Sequence, residues 1–364
     1  MSKNKKILVL AMSSIVFFIL LLEISLRVVL GFPIENKVDH PILGHTIRLS
    51  YPSIDADGFR NPKVLKQADI VTIGDSHTYG QNATSLDTWP QQLGKLTNQT
   101  VYNLGIGGYG ILQYYYLLDR AIEMKPKTIV VGLLFTNDFS DILQMVTRSE
   151  HWQKWCKKNK EPILQVMSSN DTKKYKKKKS SWIKHTAVSY LFDDIIRPNI
   201  LRKIFPKKEK AFVTKDEKNT KKFKYKRLKA VAQYMDLKRP AIKEAYLLAK
   251  KLLLKMKQKC DEKNIRFVVL MIPTAEYVFH DYLIERKYSL PEKYQELVSN
   301  EKVIVNDISS YFEKNGIEHV TILNELKHAL ETTGKLYPTE GDAHPVAAGY
   351  EVYARGVYEK FFKK

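Results

Sequence analysis

Near-continuous apolar runs at residues 68–73, 128–135 and 265–272 constrain this chain more than any other feature. Each reads as a buried strand, and shorter runs at 100–104 and 303–308 read as two more. Helical patterns lie between them, at 88–96, about 112–124 and about 240–259, and a last helix closes the chain at about 346–362. Apolar strands that alternate with helices indicate a parallel sheet covered on both faces. With 44% hydrophobic residues the chain has the apolar content to bury such a core, which excludes a disordered or collagen-like chain. No internal repeat is visible.

The formal net charge is +21, which by itself raises nucleic acid as a partner. Its distribution argues otherwise. Residues 154–229 hold 25 Lys and Arg against 7 Asp and Glu, so this one stretch carries +18. Lys173, Lys174, Lys176 to Lys179 and the lysines of 215–229 read as a solvated, mobile insertion. An apolar, helix-like stretch over about 182–205 lies between them. The whole of 141–236 interrupts the strand–helix order and is expected to lie as a lid over the C-terminal edge of the sheet. The lysines of 170–229 suit either simple solvation or attraction to anionic lipid or an acidic polymer. No nucleic-acid recognition motif accompanies them.

The N-terminus carries Lys3, Lys5 and Lys6, then no charge from Ile7 to Leu22. Glu23 and Arg27 follow at i,i+4, and the apolar pattern continues to Leu30. A run of this length is long enough to span a bilayer, and no small-residue cleavage site follows it. An uncleaved signal anchor is expected over residues 1–33, with a cleaved signal peptide or a buried helix as alternatives. The positive-inside rule then places 34–364 outside the membrane. Two cysteines, Cys156 and Cys260, exclude a disulfide framework; free thiols are expected, a single disulfide being the alternative. No metal-ligand spacing occurs among the histidines and acids, so neither metal nor cofactor is expected.

The chemistry-bearing residues follow the strands. The carboxyl ends of parallel strands share one crevice, so residues distant in sequence converge there. Ser76, in Gly74-Asp75-Ser76, is placed to expose a hydroxyl above the sheet edge. Serine is a weak nucleophile until a base takes its proton. His344, in Asp342-Ala-His344-Pro345, is the histidine in the most suggestive context, and an acid two positions earlier can orient it. The Gly105-Ile-Gly-Gly108 loop and the Asn137 amide offer donors for an oxyanion.

These blocks together resemble the SGNH (GDSL-type) hydrolases. The matching pieces are Gly74-Asp75-Ser76, Asn103-Leu-Gly-Ile-Gly-Gly108, Thr136-Asn137-Asp138 and Asp342-Ala-His344-Pro345, over about 65–140 and 240–362. The Glu23, Arg27 anchor is similar to that of membrane-anchored bacterial members. The resemblance implies a three-layer α/β/α fold with a flavodoxin-like parallel sheet. It implies Ser76 as nucleophile, His344 as base and Asp342 as the orienting acid, with Glu340 in reserve. Oxyanion donors would be the Ser76 and Gly108 N–H groups and the Asn137 amide. The chain departs from the family pattern in having Phe135 where the third block carries glycine, and Gly341 where the last block carries its acid.

The expected activity is a serine esterase working through an acyl-enzyme, removing O-acetyl groups from a cell-surface glycan. An O-acetyltransferase acting on an exported polysaccharide uses the same groups, and a non-catalytic glycan-binding or assembly protein is the rival of another class. Plainer roles are open to each residue: Ser76 as a helix N-cap, Asn137 as an Asx-turn residue, His344-Pro345 as a helix start. Asp75 and Asp138 are expected to be structural, and His77 to point away from the site. Tyr109 and Tyr114 to Tyr116 are expected to pack helices, with Tyr109 a possible substrate contact.

Overall fold

A computed structural model describes residues 12–14, 17–25, 37–49, 53–167, 210–214, 219–339 and 343–363. The chain divides into two compact units, 1–38 with 177–209, and 39–176 with 210–364. In the first unit the described residues 12–14 and 17–25 are helical, with Phe17, Phe18 and Ile24 exposed. Among the described residues no helix is long and apolar enough to cross a membrane. Arg27, the lysines at 173–179 and the apolar stretch 182–205 lie outside the described residues.

The second unit is built on five parallel strands: β1 (Ile70–Gly74), β2 (Val101–Asn103), β3 (Thr128–Leu134), β4 (Arg266–Ile272) and β5 (Glu318–Thr321). Their order across the sheet is β2-β1-β3-β4-β5. Every residue of β1, β2 and β3 is buried, as expected of strands with a helical layer on each side. On one side lie α3 (Ile111–Glu123), α4 (Asp138–Arg148), α5 (Pro240–Asp261) and α6 (Glu292–Lys314). The Tyr246 hydroxyl, on α5, donates to Asp307, on α6, and the Tyr311 hydroxyl, on α6, to the Lys250 carbonyl. On the other side α2 (Trp89–Thr97) packs against the last helix, α7 (Ala347–Phe361).

One expectation is corrected. Residues 303–308 are not a strand but part of α6. Ile304 and Ile308 are buried one turn apart while Val303 is 56% exposed, which is helical periodicity. The strand that closes the sheet is β5, Glu-His-Val-Thr, with only Val320 buried. The lid expected over 141–236 has its centre outside the described residues. Its described ends are core: Ile142, Leu143, Trp152, Cys156 and Ile163 on one flank, Phe223, Leu228, Val231 and Ala232 on the other. Cys156 and Cys260 are buried free thiols, pushed up to about 12 by burial.

A four-residue helix, α1 (Ser76–Tyr79), sits directly on the sheet edge, and three glycines make room for it. A Cβ on Gly74 or on Gly132 would overlap the Thr78 hydroxyl. A Cβ on Gly105 would lie 2.7 Å from the Tyr79 nitrogen and 2.8 Å from the Thr78 carbonyl carbon. These glycines come from β1, from the loop after β2 and from β3, with Gly74 and Gly132 directly paired across β1 and β3. Overpacking of this kind costs about 1–3 kcal/mol. Gly132→Ala is therefore expected to lower the thermal unfolding midpoint by several degrees. Adding Thr78→Ala, which removes the overlapping hydroxyl, should recover much of that loss.

Candidate active site

Asp75 closes β1 and caps α1, its Oδ1 accepting from the His77 N–H at 2.9 Å. Ser76 is thus the first residue of the helix, not its cap. It is partly exposed and its side chain stands at the crevice edge. Its Oγ lies 2.7 Å from His344 Nε2 and 3.1 Å from Asp75 Oδ2. For the serine to donate to the imidazole, His344 must carry its own proton on Nδ1. Asp342 and Glu340, the acids expected to face that nitrogen, lie outside the described residues.

His344 is held in place by the packing of the last helix on the segment that follows Ser76. Asn82 Nδ2 donates to the His344 carbonyl at 3.3 Å and Gln92 Nε2 to the Ala347 carbonyl at 3.3 Å. The Tyr350 hydroxyl donates to the Gln81 carbonyl at 2.9 Å. A Cβ on Gly349 would lie 2.6 Å from the Pro345 side chain, so the chain turns tightly into α7.

His77 does not point away from the site. It is buried, its ring centroid lies 4.8 Å from that of His344, and its Nδ1 is 3.2 Å from the Tyr353 hydroxyl. The signal was its adjacency to Ser76: on a single helical turn the next side chain swings back under the sheet edge and toward α7.

The loop after β2 comes within contact of the serine. A Cβ on Gly107 would lie 3.5 Å from the Ser76 Cβ. The Tyr109 N–H donates to the Ile106 carbonyl, closing a tight turn in which Gly108 has φ +85°. That conformation favours glycine, as at the third residue of a type II turn. Asn103 fixes the loop's root. Its Oδ1 accepts from the Gly105 N–H at 2.8 Å and its Nδ2 donates to the Thr78 carbonyl at 2.8 Å. Tyr109 is fully buried, its hydroxyl bound to the His45 carbonyl, which leaves it a packing residue. Tyr114 likewise is buried and donates to Asp138.

Asn137 opens α4, yet its side chain does not cap that helix. Its Oδ1 accepts from the Thr136 hydroxyl at 2.7 Å and its Nδ2 donates to Asp141. Asp138 is structural: it accepts from the Leu134 N–H and from Tyr114. Burial holds its carboxyl well above the usual range, and raises Asp75 too, although the His77 N–H and the nearby His344 pull Asp75 back. Buried carboxyls thus underlie the serine in a chain of strongly positive net charge.

Sequence reasoning passed over the segment before β1. Arg60 spans the end of α1, donating through Nη1 to the Tyr79 and Gly80 carbonyls and through Nη2 to Ala83. His45 Nε2 donates to the Gly107 carbonyl at 3.0 Å. Neither residue sits in a motif; each binds backbone carbonyls that the fold brings near, Arg60 also lying over the Tyr79 ring and His45 against the Tyr109 ring.

No family model matches the chain, and no curated protein matches it. Among solved structures, a GDSL-like lipase from Bacteroides thetaiotaomicron is similar at 10% identity, covering 81% of this chain and 86% of that one, with a TM-score of 0.36. A member of the lipolytic protein G-D-S-L family from Veillonella parvula shares 13% identity over 81% and 98%, with a TM-score of 0.36. Axe2, an acetylxylan esterase from Geobacillus stearothermophilus, shares 10% identity over 83% and 97%, with a TM-score of 0.39. These are names of the kind the sequence blocks resemble. At TM-scores this low they carry no argument, and the chemistry below stands on the site itself.

Arg60→Ala leaves three carbonyls without their charged donor. Bonds to charged groups are worth about 1.5–3 kcal/mol, so a loss of that order is expected in denaturant unfolding. Arg60→Lys should restore little, because an ammonium cannot reproduce the forked geometry.

Proposed function

We propose that this protein is a serine esterase of SGNH type. The observation that carries the proposal is the 2.7 Å approach of Ser76 Oγ to His344 Nε2, groups 268 residues apart. His344 takes the serine proton as Oγ attacks an ester carbonyl, and the resulting imidazolium faces the buried Asp75 carboxyl. The oxyanion of the tetrahedral intermediate is met by the Gly108 N–H, the Asn137 amide and the Ser76 N–H. His344 then returns the proton to the leaving alcohol as the C–O bond breaks, leaving an acyl-enzyme. Water attacks this in turn, giving its proton to His344, and the acid is released as Ser76 regains the proton. Each well-placed oxyanion donor is worth about 3–4 kcal/mol of barrier. Asp342, two residues before His344, is assigned as the acid that holds the imidazole tautomer.

Residues 7–30 are read as a membrane anchor with the catalytic unit on the far side, from the apolar run and the lysines that precede it. An enzyme so placed meets surface glycans first, and O-acetyl esters on such a glycan are the substrate class proposed. A sugar hydroxyl in place of water would turn the same acyl-enzyme to transfer.

Hydrolysis of a chromogenic acetyl ester tests the core of this reading. Ser76→Ala and His344→Ala are each expected to lower kcat by at least about 10³-fold, because these two groups act as a unit. Rates equal to the parent in Ser76→Ala would overturn the assignment. A serine-reactive phosphonate should label the parent at Ser76, and the His344→Ala variant far more slowly.

A further inference from the structure

We propose that Asp141 is a positioning residue that locks the side-chain amide of Asn137 in the one orientation that presents an N–H to the oxyanion. The inference rests on the esterase reading and concerns a residue that no motif includes.

The two ends of the Asn137 amide meet different partners. Its Oδ1 takes the Thr136 hydroxyl proton at 2.7 Å, and its Nδ2 gives one N–H to Asp141 Oδ2 at 2.5 Å. An ionised carboxylate only accepts, so a flipped amide would set oxygen against oxygen. The flip is thereby excluded, one amide N–H is consumed, and the second is left at a fixed direction. Meanwhile the backbone of α4 is closed behind it, the Asn137 carbonyl accepting from the Asp141 N–H at 2.8 Å and the Ser140 hydroxyl at 3.0 Å. Asp141 also abuts the glycine loop. A Cβ on Gly110 would lie 2.9 Å from the Asp141 Cβ. One side chain therefore touches both Asn137 and the start of α3, two residues after Gly108.

The lock depends on charge. A protonated Asp141 can donate, accepts the flipped amide, and loses its selectivity between the two orientations. The groups whose charges act on Asp141 or feel it are Asp75 from the β1 turn, Asp138 and Arg148 on its own helix, Tyr114 on α3 and Tyr234 on the helix Tyr225–Tyr234. Burial raises Asp141 to about 7, opposed by the Asn137 hydrogen bond and by Arg148, and reinforced by Asp75. Above that pH the carboxylate is charged and the amide is fixed; below it the amide is released.

The test compares acetyl-ester hydrolysis by the parent, Asp141→Asn, Asn137→Ala and the double variant, with Ser76→Ala as the inactive reference. Asp141→Asn is nearly isosteric and can donate or accept, so it opens the lock without emptying the site. Displacing one group by a fraction of its length can cost up to about 10²-fold, and a loss of about 10- to 100-fold in kcat with KM little changed is expected. The acid limb of the kcat profile should change from a steep two-proton fall in the parent to a one-proton fall in Asp141→Asn. In the Asn137→Ala background the same substitution should cost nothing further. An Asp141→Asn enzyme with the parent's kcat and acid limb overturns the proposal. So does an equal loss in both backgrounds, which marks a merely structural role. A parent no faster than Ser76→Ala overturns the esterase reading itself, and this proposal with it. Should Asp141→Asn fail to fold, Thr136→Val releases the amide from its other end and must show the same kcat loss, absent from the Asn137→Ala background, or the proposal falls.

Discussion

The contact between Ser76 and His344 is the constraint on which the rest of this structure depends. Neither residue's local sequence holds the other. The serine is fixed by the sheet, through a cap on Asp75 and a seat of three glycines. The histidine is fixed by α7, whose hydrogen bonds run to Gln81, Asn82 and Gln92 in the segment that follows the serine. A weak hydroxyl nucleophile needs its base at hydrogen-bond distance, and here that distance is set by helix-on-helix packing between α2 and α7. Packing far from the chemistry therefore determines whether there is any chemistry.

Charge is organised on two scales. Lysines dominate the stretch 154–229, whereas Asp75, Asp138 and Asp141 gather beneath the serine. Each is raised by burial, and among the described residues each is bound by N–H or hydroxyl donors. Of the three, Asp75 is the one on which His344 acts, pulling its carboxyl back against the effect of burial. His77 is buried and packs its ring on the same imidazole.

Much of this was legible in the sequence. β1, β3 and β4 announced themselves because strands buried on both faces must be apolar along their whole length. Ser76, Asn137 and the glycine loop followed, since each stands directly after such a strand. The misreadings have the same physical root. β5 is an edge strand with a single buried side chain, so nothing in Glu-His-Val-Thr distinguishes it from a loop. The apolar run at 303–308 stood out instead, although its buried residues recur at helical spacing. Arg60 and His45 were invisible because they bind backbone carbonyls, which every residue possesses; only the folded geometry says which carbonyls lie within reach. The role of Asp141 was hidden for a related reason, because an acid four residues after Asn137 has meaning only once a helix stacks the two.

The placement of the base in the last turn before α7 also has a temporal side. Translation at roughly 5–20 residues per second delivers the serine on the order of 10–50 s before the histidine. Throughout that interval the nascent chain can build its glycine seat and most of its sheet while lacking any means to deprotonate its own hydroxyl. On the esterase reading, competence arrives only when α7 is released and docks, so the hydroxyl stays silent during manufacture, and a chain cut short before α7 stays silent.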